Sequence, residues 1–185
     1  MSHAADAVLR DDQGRAVLRF ERTFPHPPER AWAALTDPGE MAAWHPSPFE
    51  LEPQVGETVS YLPNPEIPEM PDGEVIEYDP PRLLAHTWGD DHLRWALRPH
   101  DDGCLLVLTH TFDDRFKAAR DATGWHLCLE ALATTLDGTL TGEPFPAEAG
   151  AERVIPSGWR DLNRAYEERF EIPPDKATPP PEGYS

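Results

Sequence analysis

The sequence predicts an α+β protein in which a bent antiparallel sheet wraps one long helix. The helix is indicated by an apolar stripe with steps of three and four residues, which places every member on one helical face. The stripe consists of Ala122, Trp125, Leu129, Leu132 and Leu136. The sheet is indicated by four short runs between Asp72 and Phe112, which are separated by Pro, Gly and Asp. We expect the stripe to pack on this sheet, because it needs a broad apolar surface.

One strand and two short helices are predicted ahead of the sheet runs. Ala16 to Phe24 is interpreted as the first strand, since it carries an apolar face opposite a charged one. A helix is expected to begin near Pro28, which suits a first turn, and to end at Asp37, which precedes a proline. A second short helix is predicted from Glu40 to Trp44.

The next segment, from Pro46 to Pro71, is rich in proline and leaves little room for central strands. Within it only Glu57 to Leu62 is predicted to be a strand. The stretch PNPEIPEMPD that follows is interpreted as an exposed connector, because each proline lacks a backbone N–H and disfavours helix at the residue before it. A lid is the less favoured alternative.

The alternation within the sheet runs predicts which side chains face the long helix. In HLRWALRP the apolar set around Trp95 points inward. In CLLVLTHTF two sets compete, and we favour the set that contains His110 and ends in Phe112. In PPRLLAHTW the set with His86 and Trp88 shares a face, which we expect to point toward the helix.

The chain is expected to hold one domain, over residues 15–142. The first 14 residues are polar without a period and are interpreted as a flexible leader. Residues 143–172 read as a linker and an appended amphipathic helix that docks on the body, with Ser157 as candidate N-cap. The proline-rich residues 173–185 are expected to be a disordered tail.

Charge and composition exclude several classes of partner. The net charge is −18, from 34 acidic and 16 basic residues, which disfavours binding to nucleic acid or to an anionic membrane surface. No apolar run is long enough to span a membrane, and the start of the sequence lacks the basic and apolar regions of a signal peptide. We expect a cytoplasmic protein, either monomer or homodimer.

Common catalytic and metal motifs are missing from the sequence. It contains no HExxH, GxSxG, P-loop, GxGxxG or CxxC pattern, so we expect no metal and no cofactor. Cys104 and Cys128 have neither the number nor the spacing of a disulfide framework and are expected to be reduced core residues. His126 and Glu130 are spaced to pair on the surface of the long helix.

Four segments in matching order resemble proteins similar to the activator of the heat-shock protein 90 ATPase: PPERAWAALTDPGEMAAW, DPPRLLAHTW, LRPHDDGCLLVLTHT and GWHLCLEAL. That family belongs to the SRPBCC or START-like superfamily, whose fold resembles the birch-pollen allergen. The resemblance runs from Ala16 to Gly142 and implies a helix-grip fold, in which the long C-terminal helix closes an internal cavity. It departs at His45, where relatives often carry a second aromatic. Stimulation of the chaperone is implied mainly for eukaryotic members with a further N-terminal domain.

Aromatic and histidine side chains on the inward faces are the candidates for the wall of such a cavity. Small-molecule sites are mostly apolar with a few well-placed polar groups. The candidates are Trp44, Tyr61, His86, Trp88, Trp95, His110, Phe112, Trp125 and Leu129. Ordinary core packing is the alternative for Trp95 and Leu129. A buried His110 either bonds a neighbouring group or presents a polar atom to a ligand.

Three functions fit the sequence. The favoured one is the binding of a small, largely apolar molecule, with His110 or His86 orienting it. The second is an enzyme of cyclase or dehydratase type, which the superfamily resemblance suggests, with His110 as general acid or base. The third is a protein-interaction module, with a chaperone as one partner, that uses the acidic surface or exposed aromatic residues of the appended helix.

Overall fold

Eight antiparallel strands form one curved sheet in the computed structural model, which describes residues 5–63, 70–138 and 158–179. The strands are β1 Val8–Asp12, β2 Arg15–Phe24, β3 Phe49–Leu51, β4 Thr58–Tyr61, β5 Gly73–Asp79, β6 Leu83–Trp88, β7 Asp91–His100 and β8 Gly103–Phe112. Their spatial order is β1-β2-β8-β7-β6-β5-β4-β3, so β1 and β3 lie at the two edges. The long strands β2, β8 and β7 lie side by side and carry most of the buried inward-facing side chains of the sheet.

Among the described residues, four α-helices accompany the sheet, namely α1 Pro28–Thr36, α2 Pro38–Met41, α3 Ala118–Leu136 and α4 Trp159–Arg169. The two short helices follow β2, as predicted. Asp37 separates them: it ends α1, and its side chain accepts a hydrogen bond from the backbone N–H of Glu40 at 3.0 Å. The second helix therefore begins two residues earlier than predicted and ends at Met41. In the described part of the chain no helix combines the length and apolarity needed to cross a membrane.

The long helix α3 covers the sheet with the predicted stripe. All five stripe residues are buried, the most exposed being Leu136 at 6%. Burying each large apolar side chain of this kind contributes about 1.5–3 kcal/mol. The predicted architecture, a bent antiparallel sheet closed by a long helix, is confirmed.

The predicted strand faces are also confirmed. Trp95 on β7 and both His110 and Phe112 on β8 are almost fully buried. His86 on β6 is fully buried, and Trp88 on the same strand contacts the ring of Trp125 on α3. These strands therefore present one concave aromatic face to the helix.

The expected flexible leader is wrong for Val8–Asp12, which forms the edge strand β1. This strand pairs with β2 in the register Val8↔Arg19 to Asp12↔Arg15. The connection is the two-residue turn Gln13-Gly14, in which both residues have positive φ, 53° and 85°. Such turns match the twist of a hairpin, and the glycine adopts this conformation without steric cost. The local turn signal outweighs the polar composition on which the prediction relied.

The expected disordered tail is wrong for residues 173–179. The backbone N–H of Thr178 donates to the carbonyl of Phe116 at 3.2 Å, and the Lys176 ammonium lies 5.3 Å from the centre of the Phe116 ring. Just before this segment, Ile172 is buried. These contacts hold the described start of the tail against the 3₁₀ turn Arg115–Lys117, whereas residues 180–185 lie outside the described residues.

The proline-rich segment contains one strand more than predicted. Phe49–Leu51 forms β3, which pairs with β4 in the register Phe49↔Tyr61 to Leu51↔Val59. An edge strand of three residues tolerates neighbouring prolines, because only one of its sides is hydrogen-bonded. The predicted strand Glu57 to Leu62 is present as Thr58–Tyr61, and residues 64–69 of the expected connector lie outside the described residues.

The appended helix α4 docks on α3 through its apolar face. Leu162 and Tyr166 are buried, and the Tyr166 hydroxyl lies 2.8 Å from Nδ1 of His126. Nε2 of His126 does lie 3.4 Å from Glu130. His126 is buried beneath α4, however, so the prediction that this pair lies on an open helix surface is wrong. Gly158 occupies the N-cap position with φ 100°, and the candidate cap Ser157 falls outside the described residues.

Candidate functional site

Trp125 lies at the centre of an aromatic cluster between α3 and the concave face of the sheet. Its ring centre is 5.5 Å from each of the rings of His45, Trp88 and Trp95, and 6.1 Å from that of His110. Most of these contacts are edge-on or tilted, which is the arrangement that the quadrupole of aromatic rings favours. We call His45, Trp88, Trp95, His110 and Trp125 the Trp125 cluster.

The structure brings the other predicted site residues to the same interior. Trp44 contacts Trp95 at 5.7 Å between ring centres, and Phe112 contacts His110 at 4.8 Å. Tyr61 on β4 and His86 on β6 also meet, although β5 separates their strands, and the ring of Phe49 contacts both. Leu129 is buried in the same core, one turn along α3 from Trp125.

His86 is held by hydrogen bonds on both ring nitrogens. Its Nε2 accepts from Nε1–H of Trp95 at 3.4 Å, while its Nδ1 lies 3.0 Å from the Tyr61 hydroxyl and 3.1 Å from the Thr87 carbonyl. The Tyr61 hydroxyl donates to the same carbonyl, and burial raises the pKa of Tyr61. Because Nε2 accepts, the proton of neutral His86 resides on Nδ1. Both ring nitrogens of His86 are therefore hydrogen-bonded to other groups of the protein.

His110 is likewise hydrogen-bonded through both of its ring nitrogens. Its Nδ1 accepts from Nε1–H of Trp125 at 3.1 Å, so its Nε2 carries a proton and donates to Oδ2 of Asp91 at 2.8 Å. Asp91 also accepts from the Lys117 ammonium at 2.6 Å. Burial works to raise the pKa of Asp91, but the hydrogen bonds from His110 and Lys117 outweigh it, and the pKa is lowered.

Asp91 is a site residue that the sequence reasoning missed. It has the same strand parity as Leu93 and Trp95, so it points to the inward face of β7 beside His110. Extending the predicted run one residue toward the N-terminus would have identified it.

A group of three potential metal ligands, Asp91, His110 and Asp121, lies within 4.8 Å, and it is the one such group among the described residues. Lys117 contributes the positive charge there, at 2.6 Å from Asp91 and 3.7 Å from Asp121. The arrangement is an ion-pair network that fixes His110, and a cation would have to displace the ammonium.

His45 is the second missed residue, and it lies in the irregular segment where no periodicity signals its orientation. It is fully buried, and its ring contacts Trp44, Phe49, Trp95 and Trp125. The backbone N–H of Ser47 donates to its Nδ1 at 3.1 Å, so neutral His45 carries its proton on Nε2. That Nε2–H is buried with no hydrogen-bond partner among the described residues.

Trp88 lies at the margin of the cluster. Its side chain is partly exposed and its ring contacts both Trp125 and His110. Its Nε1–H is buried and, within the described ranges, has no acceptor. Trp88 thus extends from the protein surface to Trp125 at the centre of the cluster.

Two of the buried imidazoles make the stability of the fold sensitive to acid. Burial lowers the pKa of His45 to about 3, with repulsion from His86 adding to the effect, and burial lowers the pKa of His86 to about 4. A histidine in the unfolded chain titrates near 6.5. The unfolded chain therefore binds protons below this pH that the folded protein does not bind, and the free energy of unfolding falls as the pH drops. Between about pH 7 and about pH 5.5 we expect a loss of about 2 kcal/mol.

Urea denaturation at several pH values measures this dependence. His86→Leu should reduce its slope to about half, because one of the two titrating groups is removed. Leu93→Val, at the position paired with His86 on β7, should lower stability equally at every pH and keep the wild-type slope. Equal slopes in wild type and His86→Leu would contradict the prediction.

The sheet, the closing helix and the aromatic interior define a helix-grip protein of the SRPBCC type. Residues 25–137 match the family of Activator of Hsp90 ATPase homolog 1-like proteins, and the chain belongs to that family. The matched region begins after β2 and ends just after α3, so it contains both short helices and the whole Trp125 cluster. No match to a curated protein is found.

Solved structures share the fold. A conserved protein of unknown function from Enterococcus faecalis, EF2215, superposes with a TM-score of 0.70 at 18% identity, over 89% of this chain and 90% of that one. The solution structure of CalU16 from Micromonospora echinospora gives a TM-score of 0.65 at 21% identity, over 92% and 96% of the two chains. The protein encoded by BPP1335 from Bordetella parapertussis gives 0.61 at 29% identity, over 92% and 90%. These likenesses extend beyond the matched family region and support the same fold for the described residues.

Proposed function

We propose that the protein binds a small, largely apolar molecule between α3 and the concave face of the sheet. The observation that carries the proposal is the Trp125 cluster: besides the aliphatic side chains of this core, indole and imidazole rings meet between the helix and the sheet. Ligand sites are typically lined in this way, with a few polar atoms among aromatic groups. Trp88, partly exposed and in contact with Trp125, lies where a ligand would pass from solvent to the interior.

In this proposal His110 and His86 position the aromatic walls. Each has both ring nitrogens engaged by protein groups, His110 by Trp125 and Asp91, and His86 by Trp95 and the Tyr61 region. A general acid or base needs a ring nitrogen within hydrogen-bond reach of the substrate. The Asp91–His110 pair resembles a catalytic dyad, but the nitrogen that would serve a substrate already accepts from Trp125. Ligand binding is therefore favoured over acid-base catalysis by His110.

The alternative of an interaction module relied on the acidic surface or on exposed aromatic residues of the appended helix. Trp159, Tyr166 and Phe170 are all buried, so they do not form an open patch. A chaperone partner is accordingly not favoured by this helix.

Binding is tested with N-phenyl-1-naphthylamine, an uncharged apolar probe that brightens in a dry site and accepts energy from tryptophan. We expect saturable binding to the wild-type protein. Leu129→Trp adds bulk inside the core beside Trp125 and should weaken binding at least about tenfold, equivalent to about 1.4 kcal/mol. The matched control is Leu105→Trp, which makes the same change on the opposite face of β8 and should leave the affinity unchanged.

A second measurement does not depend on a mutant that folds. The wild-type protein is labelled with 5-fluorotryptophan, and the fluorine resonances of its six tryptophans are followed during titration with the probe. The resonances of Trp88 and Trp125 should shift, while that of Trp32 on α1 should not, since Trp32 packs on Tyr78 outside the cluster. Absence of saturable binding, or a shift confined to Trp32, would rule out the proposed site.

A further inference from the structure

Of the four indole N–H groups in this interior, three have a hydrogen-bond acceptor and one has none among the described residues. Trp44 donates to the Ala34 carbonyl at 3.0 Å, Trp95 to His86 at 3.4 Å and Trp125 to His110 at 3.1 Å. Trp88 donates to no described residue although its Nε1 is buried. Folded proteins pair the large majority of their buried polar atoms, because an unpaired one costs about 1–3 kcal/mol. The Trp88 N–H is thus an exception within an otherwise satisfied set.

His45 adds a second unpaired donor to the same interior. Ser47 occupies its Nδ1, and burial keeps the ring neutral, so Nε2 bears a hydrogen that points among aromatic rings. Aromatic edges and faces offer at best a weak acceptor. Both unpaired groups are therefore hydrogen-bond donors, and neither has an acceptor among the described residues.

Both donors belong to rings that contact Trp125, and Met70 lies near the segments that carry them. The rings of His45 and Trp88 each lie 5.5 Å from the ring of Trp125. Met70 joins the segments that carry them, because its sulfur lies 3.9 Å from the Ser47 hydroxyl and its methyl group lies 3.9 Å from the Cβ position of Gly89. One methionine side chain thus spans from the neighbour of Trp88 to the His45 segment.

We propose that Nε2–H of His45 and Nε1–H of Trp88 bind the oxygen of an uncharged hydrogen-bond acceptor, a ketone, ester or amide carbonyl, on the apolar ligand. A carbonyl oxygen has two lone pairs and accepts two such hydrogen bonds. This inference rests on the proposed function and adds the polar group that the ligand must carry.

The charges around the cluster favour an uncharged ligand over a carboxylate. His45 and His86 are neutral near pH 7, and the Lys117 ammonium is already paired with Asp91 and Asp121. A buried carboxylate would face only dipolar donors, and burying an unpaired charge is far more costly than burying a carbonyl. The overall charge of −18 repels anions further.

Three probes on one ring system separate these possibilities: 2-acetylnaphthalene, 2-ethylnaphthalene and 2-naphthoate. Trp88→Phe removes the indole N–H and keeps an aromatic ring. It should weaken 2-acetylnaphthalene about tenfold, the loss of one buried hydrogen bond, and leave 2-ethylnaphthalene within about twofold. Trp32→Phe makes the same substitution outside the cluster and should change neither affinity.

The carbonyl stretching band of bound 2-acetylnaphthalene reports the hydrogen bonds directly and needs only the wild-type protein. It should lie at lower frequency than in hexane, and Trp88→Phe should raise it. In ¹⁵N-histidine spectra the Nε2–H proton of His45 should move downfield with 2-acetylnaphthalene and not with 2-ethylnaphthalene.

A hexane-like band, an equal loss for ketone and hydrocarbon, or tighter binding of 2-naphthoate than of the ketone would each overturn the inference. Saturable binding of N-phenyl-1-naphthylamine together with any of these results would leave the proposed function standing. Failure of every uncharged probe to bind would instead remove the proposed function itself.

Discussion

Trp125→Ala is expected to lower the free energy of unfolding by about 3–5 kcal/mol, the range for deleting a large aromatic side chain from a packed core. Four rings would lose their shared neighbour, since those of His45, Trp88, Trp95 and His110 all contact Trp125. Nδ1 of His110 would also lose its donor. Urea denaturation with far-UV circular dichroism measures the change.

Two further variants divide this effect into its parts. Trp125→Phe keeps most of the ring contacts and removes the N–H, so it should cost about 1–2 kcal/mol. Trp32→Ala removes a partly exposed tryptophan that packs on Tyr78, and it should cost less than Trp125→Ala. Indole should raise the melting temperature of Trp125→Ala and not that of Trp125→Phe, because only the alanine variant has room for it. Equal costs for the two alanine variants would contradict a central role for Trp125.

Gly103→Ala is expected to destabilise the protein by about 3 kcal/mol, the upper part of the usual range for overpacking. Gly103 begins β8, next to the end of β2 and the turn that leads to α1. A Cβ there would lie 2.0 Å from the carbonyl oxygen of Phe24 and 3.1 Å from the backbone nitrogen of His26. Both are backbone atoms, so relief requires the chain to move rather than a side chain to rotate.

Gly124→Ala provides the matched control, with the opposite sign. Gly124 lies inside α3, and a Cβ there would meet no atom within 4 Å. Alanine at a helical position without steric conflict is favoured over glycine by about 0.5–1 kcal/mol. In thermal and urea denaturation, Gly103→Ala should therefore be less stable than wild type and Gly124→Ala more stable. A Gly103→Ala variant as stable as wild type would show that the close approach to Phe24 is not maintained in solution.

The regular elements were predictable because their patterns are local. The stripe of α3 repeats every three or four residues, and the alternation in β7 and β8 repeats every two, so neither depends on distant contacts. The inward orientation of His110 and Phe112 followed from parity alone. The same reasoning placed Trp88, Trp95 and Trp125 on faces that meet, and in the structure their rings contact one another.

The errors arose where a short-range signal or a distant partner overrides composition. Polar composition suggested a mobile leader, but the Gln13-Gly14 turn and the free edge of β2 make Val8–Asp12 a strand. Proline content suggested a disordered tail, but Phe116 provides a surface on which its first residues pack. His45 stands in an irregular segment, where no pattern specifies a direction for its ring.

Spacing along the chain was enough to predict the long helix, the four strands between Asp72 and Phe112, and which of their faces are apolar, while the family was indicated by resemblance to known proteins. Which polar atoms find hydrogen-bond partners depends instead on how the chain packs in three dimensions. Whether an imidazole or indole N–H finds an acceptor depends on residues far away in sequence, as when Asp91 and Trp125 meet at His110. Hydrogen bonds require atoms within about 3 Å at defined angles, a condition that periodicity does not specify. The unpaired donors of His45 and Trp88 therefore became visible only once the sheet had closed around α3.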